Sequence, residues 1–254
     1  MRRQTLLVMN IAMALVFIGL VMSYSAGIGR PREDGQLSDP VNYLKAHALY
    51  AGIGLVFMLV AARVDYRIWQ ARPVFWLLAA LALAALVLVL LIGDEVRGAR
   101  RWLNVGGLSF QPSEVAKLVL IIALAVKLAE IQANIRSFWR GFVPPIVITV
   151  LFAGLVLLEQ DLGTPVVMGT VALAMIFMAG GKLWHIGIVG VAAAAGVAAA
   201  IWSSPERMER ITTFLRPWDY RSGGALQLIE SMAGFVRGGL WGMGLGAGEQ
   251  KLYW

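Results

Sequence analysis

Pro73-Val-Phe-Trp-Leu-Leu-Ala-Ala-Leu-Ala-Leu-Ala-Ala-Leu-Val-Leu-Val-Leu-Leu-Ile92 runs for a full membrane thickness without a charged residue. A helix needs about 20 residues to cross the ~30 Å hydrocarbon layer of a bilayer. The run has no period-2 alternation, and in lipid every peptide group must find its hydrogen bond inside the segment, so it predicts a helix and not a barrel strand. Six further apolar runs lie near 5–26, 43–63, 112–130, 142–158, 164–180 and 183–202. Together they predict an all-α fold, a polytopic transmembrane helix bundle of about seven spans over residues 1–202. Residues 203–254 read as an incomplete extracytoplasmic loop region.

Composition excludes a water-soluble domain. Of 254 residues 59% are apolar and 15% charged, with a mean hydropathy of +0.73, against roughly 45–50% and about 25% in soluble chains. The net charge of +7 does not point to nucleic acid, because the basic residues sit in short clusters between apolar runs, where Lys and Arg flank membrane spans. Cysteine is absent, which removes disulfides and thiolate metal sites. Arg2 and Arg3 before the first run, with Ser23, Ser25 and Ala26 near its end, imitate a signal peptide. The run is longer than a signal core and more spans follow, so it reads as retained.

Basic residues in short loops set the orientation. With the N-terminus inside, the cytoplasmic side collects Arg2, Arg3, Arg63, Arg67, Arg72, Arg136, Arg140 and Lys182. The outer short loops hold Arg30, Arg32, Arg97, Arg100 and Arg101, the first of them offset by Glu33, Asp34 and Asp39. An N-terminus in the cytoplasm is therefore expected, with the tail from Ser203 outside.

Chemistry is sought where charge persists at the apolar boundary, since a charge at mid-bilayer costs a few kcal/mol. One such place is Gly98-Ala-Arg-Arg-Trp-Leu-Asn-Val-Gly-Gly107, followed by Gln111-Pro-Ser-Glu-Val-Ala-Lys117. Pro112 suits a first helical turn, and Glu114 and Lys117, three apart, share a face and predict an ion pair. That pair is either an interfacial anchor or part of a substrate site. A second place is Glu159-Gln-Asp-Leu-Gly-Thr164, where two carboxylates at i, i+2 can bind a cation, act as acid and base, or cap the next helix. Capping is the simplest reading of Asp161. The third is the tail, with Arg207, Arg210, Arg216 and Arg221 around Pro217-Trp-Asp-Tyr220, then Gly242-Met-Gly-Leu-Gly246 and Gln250-Lys251. Arginines beside aromatics suit a pyrophosphate head group or simply anionic lipid. The glycine string lacks both the G-x-G-x-x-G spacing and a G-K-[ST] and reads as turns or close packing. Gly187, Gly190, Ala192 to Ala195 and Gly196 read as helix-packing surface. His47 and His185 stand alone, without zinc-ligand spacing.

Four segments, Gly98-Ala-Arg-Arg-Trp-Leu103, Gln111-Pro-Ser-Glu-Val-Ala-Lys-Leu118, Gln160-Asp-Leu-Gly-Thr164 and Gly239-Leu-Trp-Gly-Met-Gly-Leu-Gly246 with Gln250-Lys-Leu252, resemble the signatures of the SEDS family. These are the RodA, FtsW and SpoVE proteins of bacterial shape, division and sporulation, and the segments occur in the family's order. The resemblance implies a peptidoglycan glycosyltransferase that polymerises lipid II on the outer face of the cytoplasmic membrane. Carried over position by position, it implies that Arg101, Glu114, Lys117, Gln160 and Asp161 bind substrate in an outer polar cavity, with Arg210 and Lys251 in the large outer loop. It also implies ten spans and a catalytic acidic residue in a stretch after Gln-Lys-Leu, beyond Trp254, so the chain reads as an N-terminal portion and is expected to be inactive alone. A class B penicillin-binding protein is the implied partner, and membrane lipid surrounds the chain. Mg²⁺ or Mn²⁺ bridging a pyrophosphate is compatible with this reaction class. Two other readings stay open: a lipid II transporter, and a non-catalytic membrane scaffold. The elongation, division and sporulation branches are not separated by these residues.

Overall fold

The computed structural model describes residues 3–27, 39–96, 99–105, 108–221, 224–244 and 247–248. They fall into two compact units, one within Met1–Val64 and Ser204–Trp254, the other Asp65–Ser203. Helices dominate both.

In the first unit α1 (Arg3–Gly27) and α2 (Pro40–Arg63) pack together. Asp39 caps α2, its carboxylate accepting from the Val41 N–H at 2.9 Å with Pro40 in the first turn. Such a side-chain acceptor satisfies an amide the helix leaves without a partner. In the same unit α8 (Pro205–Leu215), a 3₁₀ turn (Pro217–Tyr220) and α9 (Leu226–Gly238) follow one another. α8 buries Thr213 and leaves Ile211, Phe214 and Leu215 exposed.

The second unit holds α3 (Arg72–Ile92), α4 (Pro112–Glu130), α5 (Val143–Leu158), α6 (Gly163–Met178) and α7 (Leu183–Trp202). Its core is drawn from α3 (Leu86), α4 (Leu120, Leu124), α5 (Phe152, Val156) and α6 (Met168, Ile176). α4 is the centre, in contact with α3, α5 and α6. Its buried residues Pro112, Ala116, Val119, Leu120, Ala123, Leu124 and Leu128 recur at three- and four-residue steps, one stripe of a helix. The outer faces, by contrast, expose Leu77, Leu81, Leu88 and Leu91 of α3 and Val150 and Leu151 of α5. Apolar surface on that scale is stable against lipid or another apolar surface, not against water.

Five helices are long and apolar enough to cross a bilayer: Arg3–Gly27, Val41–Arg63, Pro73–Ile92, Phe138–Leu158 and Leu183–Trp202. The fourth joins α5 to a π turn at Phe138–Phe142. Of the other two apolar runs, α6 has 16 residues, and α4 carries Glu114, Lys117, Lys127 and Glu130.

Two features depart from the sequence reading. The segment between α3 and α4, expected as a plain loop in an all-α chain, contains a small antiparallel sheet of β1 (Asp94–Val96), β2 (Ala99–Val105) and β3 (Leu108–Phe110), with β2 central. Pairing sets Glu95 opposite Arg100 and Asn104 opposite Ser109. Gly93 ends α3 where any Cβ would strike the Val89 carbonyl oxygen, so the chain leaves the helix sharply into β1. The small-residue run of α7 is not a packing surface among the described residues: α7 buries nothing, and a Cβ at Gly187, Gly190 or Gly196 would meet open space. Within the second unit α7 touches α6.

Candidate functional site

The site lies at one end of the second unit, where β2 meets the turn between α5 and α6. Side chains alternate across a strand, so Arg101 and Leu103 share one face of β2 while Arg100, Trp102 and Asn104 share the other. The second set is exposed and Arg101 is only partly so. Arg100 pairs with Glu95 at 3.5 Å on the open face. Asn104 donates to the Asp94 carboxylate and accepts from the Ser109 hydroxyl, tying the three strands together.

Arg101 reaches inward. Its Nη2 donates to the Gln160 carbonyl at 2.6 Å and its Nε to the Glu159 carbonyl at 3.4 Å. Among the described residues no carboxylate pairs with it. The carbonyls are presented by an unusual backbone: Gln160 has φ 61°, a left-handed conformation that a residue with a Cβ adopts at a cost. The Gln160 side chain is exposed, so this residue, expected to bind substrate, acts on Arg101 through its main chain.

Asp161 caps α6. One oxygen accepts from the Gly163 N–H at 3.0 Å and the Thr164 N–H at 3.2 Å, and the other from the Thr164 hydroxyl at 2.8 Å. Both oxygens are thereby committed, which is the capping reading of this residue.

Glu159 was one of the two carboxylates that the sequence left with several readings, and it was not among the expected substrate contacts. It is 1% exposed, and neither carboxylate oxygen has a hydrogen-bond partner among the described residues. Burial raises its pKa from 4.5 to about 7; the nearby Asp161 charge adds to the rise and Arg101 opposes it. Its place at the C-terminus of an apolar helix was the available signal, but a carboxylate there also reads as an interfacial anchor.

Glu114 and Lys117 form the expected ion pair at 2.9 Å on the first turns of α4. No bond joins this pair to Arg101 among the described residues. Beside it Ser113 is fully buried, its hydroxyl without a partner among the described residues. Arg210 is an exposed residue of α8 in the other unit. Lys251 lies outside the described residues. Among the described residues no group of three or more His, Asp or Glu side chains is placed to hold a metal ion.

The family model described as "Cell cycle protein", FTSW_RODA_SPOVE, matches residues 5–254. The chain belongs to the FtsW/RodA/SpoVE family. It is 37% identical over 242 residues to the "Probable peptidoglycan glycosyltransferase FtsW" of Coxiella burnetii, covering 95% of this chain and 64% of that protein. It is 38% identical to the "Stage V sporulation protein E" of Bacillus subtilis, covering 98% of this chain and 68% of that one. The chain thus spans about two thirds of the length of these relatives. Among solved structures it resembles a chain of a "peptidoglycan synthase complex", with a TM-score of 0.64 and 28% identity over 90% of this chain and 66% of that one. It also resembles the Rod shape determining protein RodA of Thermus thermophilus, with a TM-score of 0.55 and 27% identity over 72% of this chain and 58% of that one. As an FtsW/RodA/SpoVE member with five apolar helices of crossing length, it is a multi-pass membrane protein.

Proposed function

We propose that this FtsW/RodA/SpoVE protein works as a peptidoglycan glycosyltransferase, polymerising lipid II at the outer face of the cytoplasmic membrane. Seven helices, α1 to α7, cross the bilayer in this reading, with the N-terminus in the cytoplasm and the ends joined by the sheet and the α5–α6 turn outside. In the reaction the 4-hydroxyl of an acceptor GlcNAc attacks C1 of a donor MurNAc. An O–C1 bond forms, the bond from C1 to the pyrophosphate oxygen breaks, the hydroxyl proton passes to a base, and undecaprenyl pyrophosphate leaves with the bonding pair. Negative charge grows on the leaving pyrophosphate, and a fixed cation beside it lowers the barrier.

The observation that carries this reading is Arg101. Its guanidinium is held by two neutral carbonyls and leaves its positive charge without a carboxylate partner among the described residues. A planar guanidinium presents further N–H groups suited to phosphate oxygens. Lys117 belongs to the same proposed head-group site, but its charge is already balanced by Glu114. The relatives' names support the activity, and the synthase complex supports a class B penicillin-binding protein as partner. Arg210 and Lys251 are proposed substrate contacts on the motif resemblance alone.

Lipid II polymerisation with the cognate transpeptidase, by this chain and by a form extended to the relatives' full length, beside lipid II movement across liposomes, tests the reading. Glycan strands without transport support it. Transport without glycan strands replaces it with the transporter.

A further inference from the structure

A buried carboxyl group with no hydrogen-bond partner needs a reason to persist, because burying an ionised carboxylate is far more costly than burying a neutral acid. Glu159 is such a group, and it sits in the backbone stretch whose carbonyls hold Arg101. An arginine next to a carboxylate ordinarily forms a paired salt bridge. Here Arg101 instead takes the Glu159 and Gln160 carbonyls, and no ion pair joins the two side chains.

We propose that Glu159 is a positioning residue that acts as a neutral acid, leaving the Arg101 guanidinium available to an anionic phosphate group, and that its ionised form competes with that anion for Arg101. The inference rests on the head-group role assigned to Arg101 above. The charged groups acting on Glu159 are Asp161, which disfavours its ionisation, and Arg101, which favours it. Asp161 is fixed in the α6 cap, which holds its place beside Glu159. Neutralising Arg101 with a bound anion removes the one charge that favours the carboxylate. Anion binding and protonation of Glu159 therefore help one another, and by linkage each raises the affinity for the other by the same factor. The protonation midpoint of about 7 places the exchange near neutral pH.

The test is binding of undecaprenyl pyrophosphate to the purified protein in nanodiscs between pH 5.5 and 8.5, for the parent, Glu159→Gln, Glu159→Met and Arg101→Ala. The ligand's own titration is common to all variants and cancels in the ratios. Relative to Glu159→Gln, the parent is expected to lose about tenfold in affinity across the range, the factor that one pKa unit of coupling gives. The Glu159→Met variant should follow the Gln profile, which separates loss of ionisation from loss of a hydrogen bond. Near pH 7 the parent should also take up a fraction of a proton more on binding than Glu159→Gln does, seen as a difference in buffer-dependent heat. Parallel profiles for parent and Gln variant, with Arg101→Ala weak at every pH, overturn the role of Glu159 and leave Arg101's role standing. Arg101→Ala binding as tightly as the parent overturns both.

Discussion

At the residue scale, Gln160 and Glu159 make separate predictions. Gln160 holds a left-handed φ with a side chain exposed to solvent. A non-glycine residue pays roughly 1–2 kcal/mol for that conformation, part of which glycine's greater unfolded-state freedom takes back. Gln160→Gly should leave stability unchanged or raise it by up to about 1 kcal/mol, with activity retained, because the carbonyl that holds Arg101 is still there. Thermal unfolding in detergent checks this, and a large loss of activity would mean that the Gln160 side chain itself acts on substrate. For Glu159 the sign follows from a raised pKa. Between 4.5 and about 7 the unfolded chain has released a proton that the folded chain keeps, so stability is full below 4.5 and falls as pH rises through 7. The loss scales with the shift at about 1.36 kcal/mol per unit, less what solvent screening takes back. Glu159→Gln should match the parent at pH 4.5 and exceed it at pH 8; stability curves that stay parallel across that range contradict the burial argument.

At the scale of elements, hydropathy marked where the helices run but not which one is central. α4, with four charged residues, forms the middle of the second unit, while the uninterrupted apolar stretch of α3 turns much of its surface outward. Lipid, unlike water, accepts apolar surface, so apolarity marks exposure to the bilayer as readily as burial. The usable signal in α4 was periodicity, Ala116, Leu120, Leu124 and Leu128 one turn apart. Leu124→Ala should therefore destabilise the protein by about 2–3 kcal/mol through the cavity it leaves, and Leu118→Ala, 63% exposed, by under about 1 kcal/mol. Equal effects in detergent unfolding would place α4 at the bundle surface. The sheet between α3 and α4 was hidden for a different reason. Its strands are short and polar, and the alternation of Arg101, Leu103 and Val105 before Gly106-Gly107 is the one hairpin signal in the segment. The sheet puts Arg100 and Arg101 on opposite faces of β2, a physical difference that the motif resemblance, which named Arg101 alone, did not supply.

At the scale of the whole molecule, family membership was legible from four short motifs in order, and the family model spans residues 5–254. How the motifs meet was only partly legible. Two of them converge through the bonds from Arg101 to Glu159 and Gln160, a contact across 58 residues that no local pattern encodes. Asp161 caps its own helix, one of the roles its stretch left open, while the burial of Glu159 beside it was not legible from the residues. The central claim is a fixed, unneutralised guanidinium at the pyrophosphate, with its strand neighbour a mere surface residue. The most direct measurement is the initial rate of lipid II polymerisation, with the cognate transpeptidase, for Arg101→Ala beside Arg100→Ala in a form extended to the relatives' full length. Loss of one transition-state donor costs about 10²–10³ in rate, so Arg101→Ala should fall by about 10²-fold or more while Arg100→Ala stays within about threefold, as surface pairs are weak. Equal losses for the two arginines, or an unchanged rate for Arg101→Ala, would contradict that claim.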